Sequence, residues 1–379
     1  MILTSGQEKG LKIAVERYKN HEPYTVIAGY AGTGKSTLVQ FIIDELDVDE
    51  DDVVYVAYTG KASLVLKNKG CSNTMTAHRL LYNALELPDR TYKFLPKDKL
   101  DNDYKIIVLD ECSMLPQDMW NLLLSHRVHV IALGDPGQLP PVDGISSILD
   151  HPHVMLEEVM RQAQDNPIIR LSMDIRAGKW LEYGGPKECR VMPKDKASDK
   201  LLMGADQVLC GKNATRHTLN DLMREMKFGP QRNRGPVACD KIVCLHNEWQ
   251  KLGDNKEPLV NGMIGTINNI NMGADQLYDP KIVADFISDN GGMYTKLHMD
   301  YKIFTEHQPT INKENWKMYR DAPKPCEFDY AYAVTVHKFQ GSEAEKVVVY
   351  DEWLGDKDYH AKWLYTAVTR ASKMLVVLK

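Results

Sequence analysis

Four short stretches in the first 160 residues are apolar without alternation: 24–28, 53–57, 105–109 and 128–133. A strand buried on both faces reads this way, because helices cover a parallel sheet on either side. Between these runs the period changes. Residues 37–46 carry apolar positions at helical spacing, directly after a glycine-rich loop. Strands alternating with helices predict a doubly wound α/β layout. A second set of strand-like runs, 207–210, 346–350 and 374–378, predicts another α/β domain. The stretch 228–325 reads differently. Its short β-like pieces, 241–245, 263–270 and 294–299, are separated by Gly, Asn, Asp and Pro, which predicts a small β-barrel inserted in the second domain. Residues 87–99, with Pro88, Pro96 and the run 91–95, predict a short hairpin inserted in the first.

Composition narrows the class. The chain has 379 residues, 43% hydrophobic and 26% charged, enough for two or three domains that each bury a core. Gly (25) and Pro (18) are too few for a collagenous or wholly disordered chain. No apolar run approaches the roughly 18 to 20 residues of a membrane-spanning helix. The first five residues lack a basic region followed by an apolar one, so no secretory signal is expected. Seven cysteines, an odd number with no Cys-x-x-Cys pair, argue against a disulfide framework or a structural zinc and for a reducing cytoplasm. The formal net charge of -5 gives no global attraction to a polyanion, so nucleic acid must be held in a local groove. The acidic run 44–52 reads as a solvated helix end and turn.

The strongest chemical signal is Gly29-Tyr30-Ala31-Gly32-Thr33-Gly34-Lys35-Ser36. It fits the phosphate-loop pattern and lies between a predicted strand and a predicted helix. Its glycines let backbone N–H groups wrap phosphate oxygens, and the helix N-terminus adds partial positive charge. Lys35 is expected on the β- and γ-phosphates, and Ser36 on Mg²⁺. Asp110 and Glu111 end the apolar run 106–109, where α/β sheets bind ligands. Asp110 is expected to hold Mg²⁺ and Glu111 to activate the attacking water as general base. In Gly134-Asp135-Pro136-Gly137-Gln138, the Gln138 amide is placed to sense the γ-phosphate or the water; a plain Pro/Gly turn is the other reading. Arg370, in the run 363–371, and Arg161 are candidate arginine fingers, each alternatively a surface arginine. The segment 333–343, with Thr335, His337, Gln340 and Gly341, carries groups that contact phosphodiester oxygens without net charge, or, for His337, a satisfied core histidine.

In this order the motifs resemble the superfamily 1 helicases, in particular the 5′-to-3′ group that contains RecD and the bacteriophage Dda helicase. The similarity runs from Thr4 to Leu378 and is weakest across 228–325. Asn166-Pro167-Ile168-Ile169 followed by Asp174-Ile175-Arg176-Ala177-Gly178 looks especially Dda-like. The resemblance implies two RecA-like parallel-sheet motor domains: 1–160, with a strand-separating hairpin at 81–100, and 161–227 joined with 326–379. An SH3-like β insert would occupy 228–325. It implies that Gln7 reads adenine, and that Gly29, Ala31, Gly32, Thr33, Gly34, Lys35, Ser36, Thr37, Asp110, Gly341 and Glu343 line the nucleotide site. It implies that Thr59, Gly60, Lys61, Thr76, His78, Lys212, Asn213, Thr335 and His337 face single-stranded DNA, with Asn220 in the same segment. Phe94 or Tyr92 would be the wedge of the hairpin. Trp180 and Trp316 are further aromatic candidates for base stacking, or packing residues.

The implied cofactors are ATP and Mg²⁺. The implied partners are single-stranded DNA and forked duplex, with single-strand-binding or replication proteins beyond them and no membrane. The expected protein is a cytoplasmic monomer, in a host cytoplasm if phage-encoded, serving replication, recombination or repair. ATP would sit between two α/β domains and close them on binding. Three other readings are a translocase that strips proteins from DNA, a P-loop kinase of nucleosides or small molecules, and a loader with a decayed nucleotide site.

Overall fold

A computed structural model describes residues 3–87, 92–141, 144–160, 165–230, 235–273, 280–312, 314–319 and 324–379. The chain divides into two compact units. One comprises Met1–Asn83, Pro96–Ala197 and Phe339–Lys379; the other comprises Ala84–Leu95 and Ser198–Lys338. The α/β class with parallel sheets, expected from the sequence, is what forms. Residues 161–197 and 339–379 fall in the first unit.

In the first unit, six strands form one sheet. Their spatial order is Thr74–Thr76, Val53–Ala57, Ile106–Asp110, His129–Gly134, Tyr24–Gly29 and Val154–Leu156. Every neighbouring pair is parallel. The unbroken apolar runs resolve into two faces, since successive side chains of a strand point to opposite sides. Ile27, Val53, Tyr55, Ile106, Val108 and Ile131 join one buried cluster with Leu38, Val39 and Ile42 of the helix Lys35–Leu46. Val26, Val54, Val56, Ile107, Leu109 and Val130 join the other, with Leu80 and Leu81 of the helix Ala77–Leu81 and Trp120 and Leu123 of Gln117–Ser125. The register aligns Ala57 with Asp110, Leu109 with Ala132 and Ala28 with Gly134. The loops after these strands therefore open on one edge, the carboxyl edge at which such sheets bind ligands.

The same unit contains a second parallel array. Ala344–Tyr350 pairs with Ala371–Leu378, which pairs with Cys189–Met192. The helices Pro167–Arg176 and Lys357–Val368 pack on each other and on Ala371–Leu378. Both are capped as their sequences demand: Asn166 Oδ1 accepts from the Ile168 N–H at 2.9 Å, and Asp356 Oδ1 from the Tyr359 N–H at 2.8 Å.

The second unit holds the parallel pair Gln207–Cys210 and Ala333–Thr335, the helix Asn213–Phe228, and a five-stranded antiparallel sheet. Across that sheet the order is Met293–Met299, Lys281–Ser288, Ile264–Gly273, Lys241–Cys244 and Phe328–Tyr330. Lys281–Ser288 was not expected; Asp285 interrupts its apolar run, yet its residues alternate between half-buried and buried for most of its length. A buried ion pair staples the helix to this region. Arg224 donates to both Asp240 carboxylate oxygens at 2.9 and 3.0 Å and to the Gly235 carbonyl at 2.7 Å. The expected hairpin is present as Tyr82–Glu86 and Tyr92–Pro96, so its first strand precedes Leu87. Thr91 and Pro88 lie outside the described residues. Every residue of Tyr92–Pro96 is exposed, Phe94 and Tyr92 included.

Candidate active site

The phosphate loop leaves the buried strand Tyr24–Gly29 and enters the helix Lys35–Leu46. Gly32 and Gly34 take φ of 78° and 76°, which only glycine adopts without strain. At Gly34 a Cβ would lie 2.5 Å from Gln7 Nε2 and 2.6 Å from Met160 Sδ, so no larger residue fits. Lys35 Nζ donates to the Gly29 and Tyr30 carbonyls at 2.6 and 3.2 Å. The Thr33 hydroxyl donates to the Tyr30 carbonyl at 2.8 Å. Ser36 is exposed, Thr37 half-buried, and no side chain caps the helix. Its first-turn N–H groups are left for an anion.

Gln7 is only 1% exposed. Its Nε2 donates to the Thr33 and Gly34 carbonyls, both at 3.3 Å, and its Oε1 accepts from the Thr4 N–H at 3.0 Å. The residue expected to read adenine is thus held as a brace of the loop and as half of the capping box that starts Ser5–Lys19.

Asp110 ends its strand, and its Oδ1 accepts from the Glu111 N–H at 2.9 Å. Burial and the neighbouring Glu111 carboxylate push the Asp110 carboxyl up to about 6, with Lys35 pulling the other way. A divalent cation bound there favours the ionised form. Glu111 sits at φ 50°, ψ 45°, a left-handed conformation that a glutamate rarely takes. Such strain concentrates at functional positions, and here it turns the glutamate off the strand axis.

The loop after His129–Gly134 carries Asp135, Gly137 and Gln138. Asp135 is 1% exposed; its Oδ1 accepts from the Gly137 N–H at 2.9 Å and its Oδ2 from the Tyr365 hydroxyl at 2.7 Å. Burial raises the Asp135 carboxyl above the usual range, opposed by Lys35 and by these two hydrogen bonds. Arg370 is 6% exposed, not a surface arginine. It donates to the carbonyls of Thr366 at 3.1 Å and Ser342 at 3.4 Å, and its Nη1 lies 3.8 Å from Glu111 Oε1. Arg161 lies outside the described residues.

Among the buried polar atoms of this unit without a hydrogen-bond partner among the described residues are Gln138 Oε1, Gln340 Nε2 and Ser342 Oγ. Together with the uncapped helix and the open Ser36, they fit a Mg-nucleotide. Of Gly341 and Glu343, expected near the nucleotide, Glu343 is exposed, and a Cβ on Gly341 would lie 2.8 Å from Ala62 Cβ. Sequence reasoning did not nominate Asp135, Tyr365, Thr366 or Arg176. The Arg176 guanidinium lies 3.4 Å from the Tyr30 ring centroid, against the phosphate loop.

Two family models match the chain: the AAA domain over residues 3–183, and the UvrD-like helicase C-terminal domain over 330–378. The ATP-dependent DNA helicase dda of Enterobacteria phage T4 is 29% identical over 190 residues, 47% of this chain and 43% of that protein. The ATP-dependent RecD2 DNA helicase of Deinococcus radiodurans is 31% identical over 167 residues, 42% of this chain and 22% of that protein. Over part of its length the chain is thus similar to ATP-dependent DNA helicases. It spans less than half the length of these curated relatives. A Pif1 helicase from Bacteroides, crystallised with ADP-AlF3 and single-stranded DNA, shares the fold. Its identity is 17% and its TM-score 0.56, over 100% of this chain and 92% of that one.

The residues expected from the sequence to face DNA fall in both units. In the first, Thr59 and Thr76 cap adjacent helices, accepting from the Ala62 and Arg79 N–H groups, both at 3.2 Å. Their strands are parallel neighbours, so 59–61 and 76–78 share the carboxyl edge. Gly60 is buried, and Lys61 Nζ sits 4.6 Å over the Phe339 ring. His78 stands between the Tyr58 and Tyr82 rings, and burial lowers its imidazole below the usual range. In the second unit, Asn213 and Thr335 line one cavity of about 230 Å³ with Arg216, His307 and Lys338. Lys212 is exposed at the start of the helix, and burial lowers the His337 imidazole. Asn220 faces the core instead: its amide donates to the Tyr330 and Ala333 carbonyls at 3.2 and 3.0 Å. Trp180 is exposed beside Lys379, whose Nζ lies 3.1 Å from the ring centroid; Trp316 is half-buried. No helix among the described residues is long and apolar enough to cross a membrane.

Proposed function

We propose that the chain is an ATP-dependent DNA helicase that moves 5′-to-3′ on single-stranded DNA and unwinds duplex at a fork. One observation carries this reading. Lys35, Ser36, Asp110, Glu111 and Gln138 gather at one carboxyl edge, and Arg370, over 200 residues downstream, comes within 3.8 Å of Glu111. A phosphate loop alone serves kinases too; a buried arginine facing the putting-in-place of water by a glutamate serves hydrolysis.

In this reading the loop N–H groups and Lys35 bind the β- and γ-phosphates, and Ser36 and Asp110 hold Mg²⁺. The ion neutralises charge on the phosphates. Glu111 takes the proton of the attacking water. Gln138 orients that water or the γ-phosphate through the amide oxygen that now lacks a partner. Arg370 stabilises charge on the transferred group. Thr59, Thr76, Asn213 and Thr335 offer neutral contacts to the DNA backbone, which give grip without sequence preference. The motor domains are 1–160 and 161–227 with 326–379; the insert 228–325, which supplies four of the five strands of the antiparallel sheet, is SH3-like, and the exposed hairpin at 81–100 is the strand-separating pin. Replication, recombination and repair of phage or cellular DNA are the processes such a motor serves.

The test is ATP turnover with Mg²⁺, with and without single-stranded DNA. Stimulation by DNA, with all phosphate released to water, is expected. Transfer to a nucleoside or other acceptor, without DNA stimulation, contradicts the reading.

A further inference from the structure

We propose that Tyr365 and Thr366 are positioning residues that set Gln138 and Arg370 at a fixed spacing around the phosphate loop. The inference rests on the ATPase reading of this site and deepens it. Both side chains come from the last turn of the helix Lys357–Val368 and are 2% and 0% exposed. The Tyr365 hydroxyl accepts from the Ala31 N–H of the phosphate loop at 2.9 Å. It donates to Asp135 Oδ2 at 2.7 Å. Asp135 in turn holds the loop that presents Gln138, through the Gly137 N–H at 2.9 Å and the Gln138 N–H, which donates to the Asp135 carbonyl at 3.1 Å. One hydroxyl therefore ties the phosphate loop to the Gln138 loop.

Thr366 repeats the device on the other side of Gln138. Its Oγ1 accepts from the Leu139 N–H at 2.9 Å, and its carbonyl accepts from Arg370 Nε at 3.1 Å. A single residue thus fixes the neighbour of the sensing glutamine with its side chain and the arginine finger with its backbone. The close approach explains Gly137. A Cβ there would lie 3.0 and 3.2 Å from Tyr365 ring carbons. Burial and the Asp135 carboxylate keep the Tyr365 hydroxyl protonated throughout the neutral range, so its donor is always available.

Neither hydroxyl is assigned contact with the nucleotide; both act through the Gln138 loop, while Arg370 is held by the Thr366 carbonyl. Misplacing a reacting group by about 1 Å costs on the order of 10²-fold in rate. Steady-state ATPase with Mg²⁺ and single-stranded DNA is measured for Tyr365→Phe, Thr366→Val and Thr366→Ser, alone and in a Gln138→Ala background. Each variant that removes a hydroxyl is expected to lower kcat by roughly 10- to 100-fold, with KM for ATP within about threefold. Thr366→Ser, which keeps the oxygen, is expected to restore kcat to within about threefold. In the Gln138→Ala background, Thr366→Val is expected to add little, because residues that act as one unit are not additive.

Unchanged kcat in both hydroxyl-deleting variants overturns the inference. So does a loss of the same size with and without Gln138, or a failure of serine to rescue, since either marks general packing. Where Thr366→Val lowers the folded fraction in a thermal melt, Tyr365→Phe, which removes one oxygen only, decides. A wild-type chain with no DNA-stimulated ATPase defeats the reading beneath; a wild-type chain that hydrolyses ATP no faster than Thr366→Val and Tyr365→Phe defeats this inference alone.

Discussion

Replacing Arg370 with alanine separates catalysis from architecture, because the structure gives the residue work in both. Its guanidinium donates to the buried carbonyls of Thr366 and Ser342 at 3.1 and 3.4 Å. Leaving a buried acceptor unpaired costs about 1–3 kcal/mol, and the longer bond belongs at the low end. A stability loss of about 2–4 kcal/mol follows, against the roughly 5–15 kcal/mol by which domains are folded. Most of the variant therefore stays native. The catalytic effect is of a different kind. Arginine fingers are worth on the order of 10³-fold or more in kcat, about 4 kcal/mol of transition-state stabilisation at 1.4 kcal/mol per decade. Unfolding lowers the number of working sites, whereas loss of the finger lowers the rate of each. The assay is DNA-stimulated ATPase at saturating ATP, normalised to the folded fraction from a denaturant titration. The expected result is a drop of about three decades in kcat, with the ATP dissociation constant changed far less. Arg370→Lys keeps a charge but not the planar fork and is expected to recover only part. A normalised loss under tenfold, or an effect confined to KM, refutes the role of Arg370.

Lys35→Ala removes the cation of the phosphate loop and is expected to abolish ATPase while leaving the circular-dichroism spectrum unchanged; near-normal turnover contradicts the site. Asp240→Ala leaves the Arg224 guanidinium, 1% exposed, without its carboxylate, and a loss of about 3–5 kcal/mol is expected in urea unfolding; a loss under 1 kcal/mol contradicts the staple. Phe94→Ala on the exposed hairpin strand is expected to slow duplex unwinding but not movement on single strands, read by displacement of a bound protein from DNA; equal loss of both removes the pin.

The sheet of the first unit was legible because its chemistry is one-sided. The run 53–57 is apolar at every position, and the strand Val53–Ala57 occupies those residues with all five buried. Gln207–Cys210, three apolar residues behind a glutamine, is likewise buried throughout. Runs broken by polar residues were not legible. Lys281–Ser288 carries Asp285 in its middle, and that carboxylate accepts from Asn269 Nδ2 and the Lys296 N–H, both at 2.7 Å, on the wet face of the antiparallel sheet. Cys189–Met192 is an edge strand with an exposed Arg190 and too short to show a period.

In the site, the residues expected to meet phosphate announce themselves by spacing: Gly32, Gly34 and Lys35 stand where a phosphate loop requires them. The residues that hold those groups do not. Tyr365 and Thr366 read as part of an apolar helix, and only the fold shows that their hydroxyls turn toward Ala31 and Leu139. Gln7 illustrates the converse. Its motif suggested a base contact and gave no sign that its amide also braces the Thr33 and Gly34 carbonyls and the Thr4 N–H. Asn220 likewise follows a nucleic-acid-facing motif but completes backbone hydrogen bonds of the strands around Tyr330 and Ala333.

Partial duplexes with a single-stranded tail on either the 5′ or the 3′ side, offered with ATP and Mg²⁺, test the proposed motor most directly. Rapid strand release from the 5′-tailed substrate, little from the 3′-tailed one and none when Lys35 is alanine is the expected outcome. Equal release from both tails, release only from the 3′ tail, or release without ATP contradicts a 5′-to-3′ helicase.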